Sequence, residues 1–208
     1  MTFRLPRVYP ITDTTISGLS HAEQVRRLAA GGATIVQLRE KAMPARDFYV
    51  EAKTAVAVAR EAGVQVIIND RVDIALAVAA DGVHLGQRDM PVEVARRLLG
   101  PKSIIGFSTH NLNQAKDALN LPVDYLAVGP IFATKTKENP DPELGLAGLS
   151  SIAGLIRTQP LVAIGGITQS NAREVCGAGA TSLALISFLL SDPEAITKRT
   201  AALFNTLA

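Results

Sequence analysis

The sequence predicts an α/β fold, a single (β/α)8 TIM barrel over residues 1–208, and three observations lead there. Short β-branched runs bounded by Gly, Asp or Asn recur eight times. Segments of helical periodicity separate them. Ala, Val, Ile and Leu supply a mean hydropathy of +0.22 without long apolar runs. Strands of a parallel sheet with both faces buried read in this way. With 208 residues, 48% hydrophobic and 19% charged, the chain can bury a full core as one domain near the small end of the barrel range, and its composition argues against disorder.

In chain order, strands are expected at 8–12, 34–38, 64–68, 82–85, 103–107, 125–128, 161–164 and 182–186. Ser20 and Glu23 have capping-box spacing and start the helix after the first strand. That places His21 in a first turn, where it reads as a surface residue. Phe48, Ala52, Ala55, Val56 and Ala59 share one face of the next helix. Asn111 and Gln114 repeat the capping signal more weakly, and Asp192 before Pro193 marks the last helix. Cys176 falls in a helical pattern and reads as core. The stretch 134–148 is polar, holds Pro140 and Pro142, and is expected as a loop that breaks the strand–helix rhythm. A doubly wound open sheet is the rival architecture. It lacks its glycine-rich fingerprint, since Asp13 runs straight into Thr14, Thr15 and Ile16.

Several function classes recede on composition. Lys and Arg number 21 against 19 Asp and Glu, a net charge of +2, so there is no broad basic footprint for nucleic acid. One cysteine excludes an intrachain disulfide and suits a reducing compartment. No apolar run approaches the ~20 residues of a membrane span, and no signal-peptide pattern follows Arg4 and Arg7. A cytoplasmic protein without membrane or nucleic-acid partners is the expectation, with association into a homo-oligomer left open.

Barrels of this kind carry their chemistry at the C-terminal ends of the strands. After the second strand stands Gln37-Leu38-Arg39-Glu40-Lys41. Extended geometry points Gln37, Arg39 and Lys41 the same way, where two cations and an amide could hold a phosphate. The alternative is a solvated loop in which Glu40 pairs with a neighbour. Asn69-Asp70-Arg71 follows the third strand and Gly86-Gln87-Arg88-Asp89 the fourth. Asp70 and Asp89 could meet on neighbouring strand ends and bind Mg2+ beside phosphate oxygens; alternatively, they cap helices and pair with Arg71 or Arg88. His84 is either a general base or a satisfied strand histidine. His110, nearer the mouth, is the better proton-transfer candidate, and Ser108 could donate to a phosphate oxygen. Thr134-Lys135-Thr136-Lys137 alternates hydroxyl and ammonium groups after Gly129-Pro130, as a clamp over an anion would. Gly165-Gly166 and Ser187 follow strands seven and eight, where barrels bind phosphate through backbone N–H groups. Two phosphate sites facing one mouth suit a diphosphate leaving group and a second, monophosphorylated substrate.

These residues also fall in a known order. The chain resembles the thiamine-phosphate synthase family over nearly its whole length, from Tyr9-Pro10-Ile11-Thr12-Asp13 to Ile186-Ser187. The motifs between are QLREK from Gln37, INDR from Ile68, ADGVHLGQRD from Ala80, Ser108-Thr109, GPIFATKTK from Gly129 and AIGGI from Ala163. The resemblance implies a transferase that joins hydroxymethylpyrimidine diphosphate to a thiazole phosphate, releasing pyrophosphate. It implies that Gln37, Arg39, Lys41, Asn69, Ser108 and Lys137 hold the pyrimidine diphosphate, with Arg39, Lys41, Ser108 and Lys137 catalytic. Asp70 and Asp89 would bind the cofactor Mg2+. Thr134, Thr136, Gly166, Ile186 and Ser187 would hold the thiazole phosphate. Leu38, Glu40 and Lys135, inside the same motifs, complete the expected substrate-binding set. The family's reaction is dissociative: pyrophosphate leaves first and the thiazole nitrogen attacks the resulting cation. Two departures stand out, Pro10 in the first strand and the loose segment 138–142. A thiazole tautomerase of the same superfamily, relying on a base such as His110, and a non-catalytic sensor of a phosphorylated ligand are the rival functions.

Overall fold

The computed structural model describes residues 4–134, 136, 141–156 and 158–208. Among these, eight parallel strands close into a barrel in sequence order. They are β1 (Val8–Thr12), β2 (Ile35–Leu38), β3 (Gln65–Asn69), β4 (Gly82–Leu85), β5 (Ile104–Thr109), β6 (Tyr125–Val128), β7 (Leu161–Ile164) and β8 (Ser182–Leu185), and β8 pairs back onto β1. The outer ring contains α1 (Thr14–Ser17), α2 (His21–Ala30), α3 (Ala45–Glu61), α4 (Val72–Ala77), α5 (Val92–Leu99), α6 (Leu112–Ala118), α7 (Gly145–Leu155), α8 (Ala172–Gly177), α9 (Ser187–Leu190) and α10 (Ile196–Leu207). No helix among the described residues is long and apolar enough to cross a membrane. The closed ring removes the open-sheet alternative.

Strand alternation divides the core in two. Outward residues such as Val36, Leu38, Ile68, Val83 and Leu85 meet the helices, and α3 contributes the predicted stripe Phe48, Ala52, Ala55, Val56 and Ala59. Inward residues form a second cluster that includes Tyr9, Ile11, Ile35, Ile67, Ile104, Tyr125 and Val162. Full burial of Phe48 alone is worth on the order of 2–3 kcal/mol.

Local differences from the expected elements have identifiable causes. β3 runs one residue later than 64–68, so Asn69 belongs to the strand and pairs in register with His84. β5 continues to Thr109, because pairing with β6 persists to Val128 and the Thr109 hydroxyl donates to the Ala127 carbonyl at 3.1 Å. α7 begins at Gly145, inside the stretch read as loop, after the Leu144 and Gly145 N–H groups dock on the Pro130 and Ile131 carbonyls. Ser20 caps α2 as expected, but Glu23 pairs with Arg26 and Arg27 instead of reaching back. Asp192 makes no side-chain cap; a short 3-10 turn, Pro193–Ala195, intervenes before α10. Pro10 is the third of five β1 residues, in register with Leu185 of β8, while the β1–β2 pairing is registered from Ile11 onward. His21 is the clearest correction. It is fully buried, with Nδ1 2.7 Å from the Thr12 hydroxyl and its ring against Phe48. The first-turn position of α2 faces the barrel, so sequence position alone misplaced it.

Gly106 on β5 makes room for the interior. A Cβ there would stand 2.1 Å from Tyr125 Cζ and 2.5 Å from His84 Nδ1. Gly106→Ala should therefore destabilise the barrel by at least the 1–3 kcal/mol typical of overpacking. Urea unfolding checks this; wild-type stability would mean that the two rings move aside freely.

Candidate active site

At the C-terminal ends of the strands lies a cavity of about 600 Å³. Every strand contributes at least one inward side chain to it: Ile11, Gln37, Asn69, His84, Ser108, Ala127, Ile164 and Ala184, with Tyr9 and Val162 one layer further in on β1 and β7. The connecting loops add Arg39, Lys41, Asp70, Asp89, His110, Thr134, Thr136, Gly166, Ile186 and Ser187.

One rim is electrostatic. Arg39 forms an ion pair with Asp13. Asp13 is itself held as the N-cap of α1, its Oδ1 accepting from the Thr15 and Ile16 N–H groups at 3.0 and 3.2 Å. Lys41 Nζ pairs with Asp70. Asp70 takes a left-handed backbone conformation (φ 61°), and its N–H donates to the His84 carbonyl at 2.8 Å. Asp89 Oδ2 accepts the Gly86 N–H at 2.7 Å. Burial raises the Asp89 pKa above the ordinary aspartate value; the Gly86 N–H opposes this, and the neighbouring Asp70 carboxylate adds to it. Asp70 and Asp89 thus crowd each other, as expected where a cation would sit between two carboxylates.

The opposite rim is backbone. Gly165 and Gly166 both have positive φ, 103° and 64°, and a Cβ on Gly165 would collide with Pro130 at 2.6 Å. Asn171 braces this turn, accepting the Thr168 N–H and donating to the Gly166 carbonyl. Across the mouth, the Thr136 N–H donates to the Thr134 hydroxyl at 3.3 Å, and His110 Nδ1 lies 2.7 Å from the Gly129 carbonyl. That carbonyl only accepts, so His110 holds its proton on Nδ1 there.

The floor is polar and buried. His84 lies between Tyr125 and Ser108, and its ring stacks on Tyr125 with centroids 5.5 Å apart. Burial lowers the His84 pKa to about 4, against a small opposing pull from Asp70, so the ring is neutral near pH 7. Burial also raises Tyr9 and Tyr125 well above the ordinary phenol value.

Sequence comparison bears directly on this arrangement. The pattern of the family described as thiamine monophosphate synthase matches residues 8–189. The thiamine-phosphate synthase of Chloroflexus aurantiacus is 48% identical over 202 residues, covering 96% of this chain and 93% of its own. That of Clostridium novyi is 46% identical, covering 90% and 92%. Among solved structures, the thiamine phosphate pyrophosphorylase from Pyrococcus furiosus superposes with a TM-score of 0.87 at 40% identity, covering 97% of this chain and 95% of that one.

The chain belongs to the thiamine monophosphate synthase family. It is a transferase enzyme.

Most of the residues that the family resemblance singles out converge on the cavity: Gln37, Arg39, Lys41, Asn69, Asp70, Asp89, Ser108, Thr134, Thr136, Gly166, Ile186 and Ser187. Lys135 and Lys137 lie outside the described residues. Two expected substrate-binding side chains face elsewhere. Leu38 alternates away from Gln37 and Arg39 and is buried against the helices. Glu40 turns under its own loop, with a side chain only 3% exposed. Its Oε1 accepts the N–H groups of Lys41, Ala42 and Met43, and its Oε2 accepts the Thr14 hydroxyl at 2.7 Å. Glu40 is therefore a clasp for the segment that carries Arg39 and Lys41. Tyr9, Tyr125, Asp13 and Gln114 were not anticipated. Strand parity carried a signal for Tyr9, which shares the inward face with Ile11, and for Tyr125, which shares it with Ala127. The Asp13–Arg39 pair crosses between two strand ends and leaves no local pattern.

Removing the clasp should loosen the cationic rim. Glu40→Ala is expected to cost about 1.5–3 kcal/mol of stability, the range for hydrogen bonds to a charged group, and to weaken binding of inorganic pyrophosphate. Calorimetric titration beside urea unfolding tests both, and unchanged pyrophosphate affinity would separate the clasp from the rim.

His84 also sets a pH dependence. Its folded pKa of about 4 lies below its reference value of 6.5. The unfolded chain therefore binds the proton first, and stability falls as pH drops below about 6.5. By pH 5 this amounts to about 2 kcal/mol, and His21, also lowered by burial, adds in the same direction. Unfolding at pH 7 and pH 5 should show the drop, and His84→Gln should reduce it.

Proposed function

We propose that the chain is a thiamine-phosphate synthase, condensing 4-amino-2-methyl-5-(diphosphooxymethyl)pyrimidine with a thiazole phosphate to give thiamine phosphate and pyrophosphate. One observation carries the reading: a cationic, carboxylate-bearing rim and a glycine-backed rim face each other across a single cavity. The first suits a diphosphate and the second a phosphate monoester.

The residues present fit Mg2+. Asp70 and Asp89 offer adjacent hard oxygen donors, and their mutual crowding is relieved by a cation. No group of three or more His, Cys, Asp or Glu that could hold a metal occurs among the described residues, so the remaining ligands would be waters and diphosphate oxygens. Bound there, the ion would stabilise negative charge growing on the leaving group.

The protein's own groups then divide the work. Arg39 and Lys41, with Lys137 as the family resemblance implies, neutralise the departing pyrophosphate, which leaves with the electron pair of the broken C–O bond. Asn69, Gln37 and Ser108 orient the pyrimidine diphosphate. Gly166 and Ser187 offer backbone N–H groups to the thiazole phosphate, which aims the thiazole nitrogen at the electron-poor methylene carbon. A C–N bond forms there, and no covalent enzyme intermediate is required. Thr134 and Thr136 stand where a closing loop would exclude water from the cation.

Purified protein given both substrates and Mg2+ should yield thiamine phosphate and pyrophosphate in equal amounts. Asp70→Ala should lower turnover roughly a hundredfold or more while circular dichroism stays native, since a bound metal supplies several kcal/mol of charge stabilisation. Folded wild-type protein that makes neither product would refute the assignment; isomerisation of a carboxythiazole instead would favour the tautomerase, with His110 as the base lining the same cavity.

A further inference from the structure

Beneath the cavity a continuous hydrogen-bonded chain crosses the barrel from β2 to β5. Gln37 Nε2 donates to the Tyr9 hydroxyl at 3.1 Å. The Tyr9 and Tyr125 hydroxyls are 2.9 Å apart. Tyr125 reaches His84 Nδ1 at 3.0 Å, and His84 Nε2 reaches the Ser108 hydroxyl at 2.8 Å. Gln37 and Ser108 line the cavity, while Tyr9 and Tyr125 are at most 1% exposed.

The donors give this chain a direction. An amide NH2 only donates. The Tyr9 oxygen therefore accepts from Gln37, and its single proton passes on to Tyr125. Tyr125, having accepted, donates to Nδ1 of His84. A neutral imidazole that accepts at Nδ1 carries its proton on Nε2. That proton points at the Ser108 oxygen, which turns the serine's own proton away from the floor and into the cavity.

We propose that Tyr9 and Tyr125 are positioning residues: they lock His84 in its Nε2–H form, so that Ser108 meets the bound substrate as a hydrogen-bond donor and Gln37 meets it with its carbonyl oxygen. The claim about substrate rests on the synthase reading above; the claim about His84 does not. Burial keeps the phenols protonated, which sustains the same order near pH 7. Gly106 guards the arrangement, since a side chain there would strike both Tyr125 and His84.

Long-range 1H–15N correlation on 15N-histidine protein, assigned through the backbone, reads the His84 tautomer directly. The expected result in the ligand-free wild type is a protonated Nε2 and a bare Nδ1. A protonated Nδ1 would mean that the chain runs the other way, with Ser108 turned inward, and would overturn the proposal. Gln37 reaches Tyr125 as well as Tyr9, so the deciding variant is Tyr125→Phe, which keeps the ring and removes the hydroxyl that meets His84 Nδ1. It should produce a mixture of His84 tautomers and lower kcat/KM for the pyrimidine diphosphate about tenfold, the scale of one net hydrogen bond. KM for the thiazole phosphate should not move. Adding Tyr125→Phe to Ser108→Ala should cost little further activity, because the Tyr125 hydroxyl acts through His84 and Ser108. An unchanged tautomer in folded Tyr125→Phe protein would refute the mechanism. If the variant does not fold, the wild-type tautomer still decides. If the wild type makes no thiamine phosphate, the synthase reading falls, while the tautomer measurement still judges the positioning role.

Discussion

Closure of eight short strands into a ring constrains everything else in this molecule. Each strand has only a handful of residues, and successive side chains alternate between the helix layer and the barrel interior. Each strand therefore has a last inward position, and the ring brings all eight of these positions to one cavity. A slip of one residue in any strand would exchange its interior and exterior sets. Were β2 displaced by one, Leu38 would enter the mouth and Gln37 would be driven among the helices. The apolar exterior of the sheet thus fixes which polar groups reach the site. Packing of Val36 and Leu38 against the helical shell is what aims Gln37 inward.

The same parity explains how much could be read from the chain. Eight brief apolar runs sufficed for the architecture, because buried parallel strands carry the pattern in every residue. The site residues on strand ends were legible for a related reason: Gln37, Asn69 and Ser108 break apolar runs where a barrel opens. What escaped was tertiary. His21 looked like a surface residue because a first-turn position gives no hint of which way it faces. Glu40 looked like a ligand because it stands between Arg39 and Lys41, yet its carboxylate is consumed by four hydrogen bonds from its own loop and Thr14. Tyr9 and Tyr125 are 116 positions apart, and only the closed ring places their hydroxyls in contact.

The interior departs from the usual filling of such barrels by branched aliphatic side chains. Below the mouth, two phenols, an imidazole and an amide occupy space that Val or Ile could fill. Unsatisfied, such groups would each cost on the order of 1–3 kcal/mol. Here each finds a partner in the next, and the edge-on packing of Tyr9 against Tyr125, with centroids 5.8 Å apart, supports the geometry. A linked network of this kind is rigid because no member can turn without stranding its neighbour. On the proposed synthase reading, such a floor would suit a reaction in which the protein contributes orientation and charge instead of a covalent bond.

Charge at the mouth is arranged on a different principle. Arg39 and Lys41 both begin with carboxylate partners, but the partners differ in kind. Asp13 is tied by two backbone N–H groups at the start of α1, so it orients Arg39 and cannot follow it. Asp70 is held by its backbone, with its carboxylate left beside Asp89 and Lys41. On the proposed synthase reading, the Lys41 ammonium would turn to a diphosphate and the Asp70 carboxylate to a divalent cation. The Arg39–Asp13 pair, anchored through the start of α1, is the more fixed of the two.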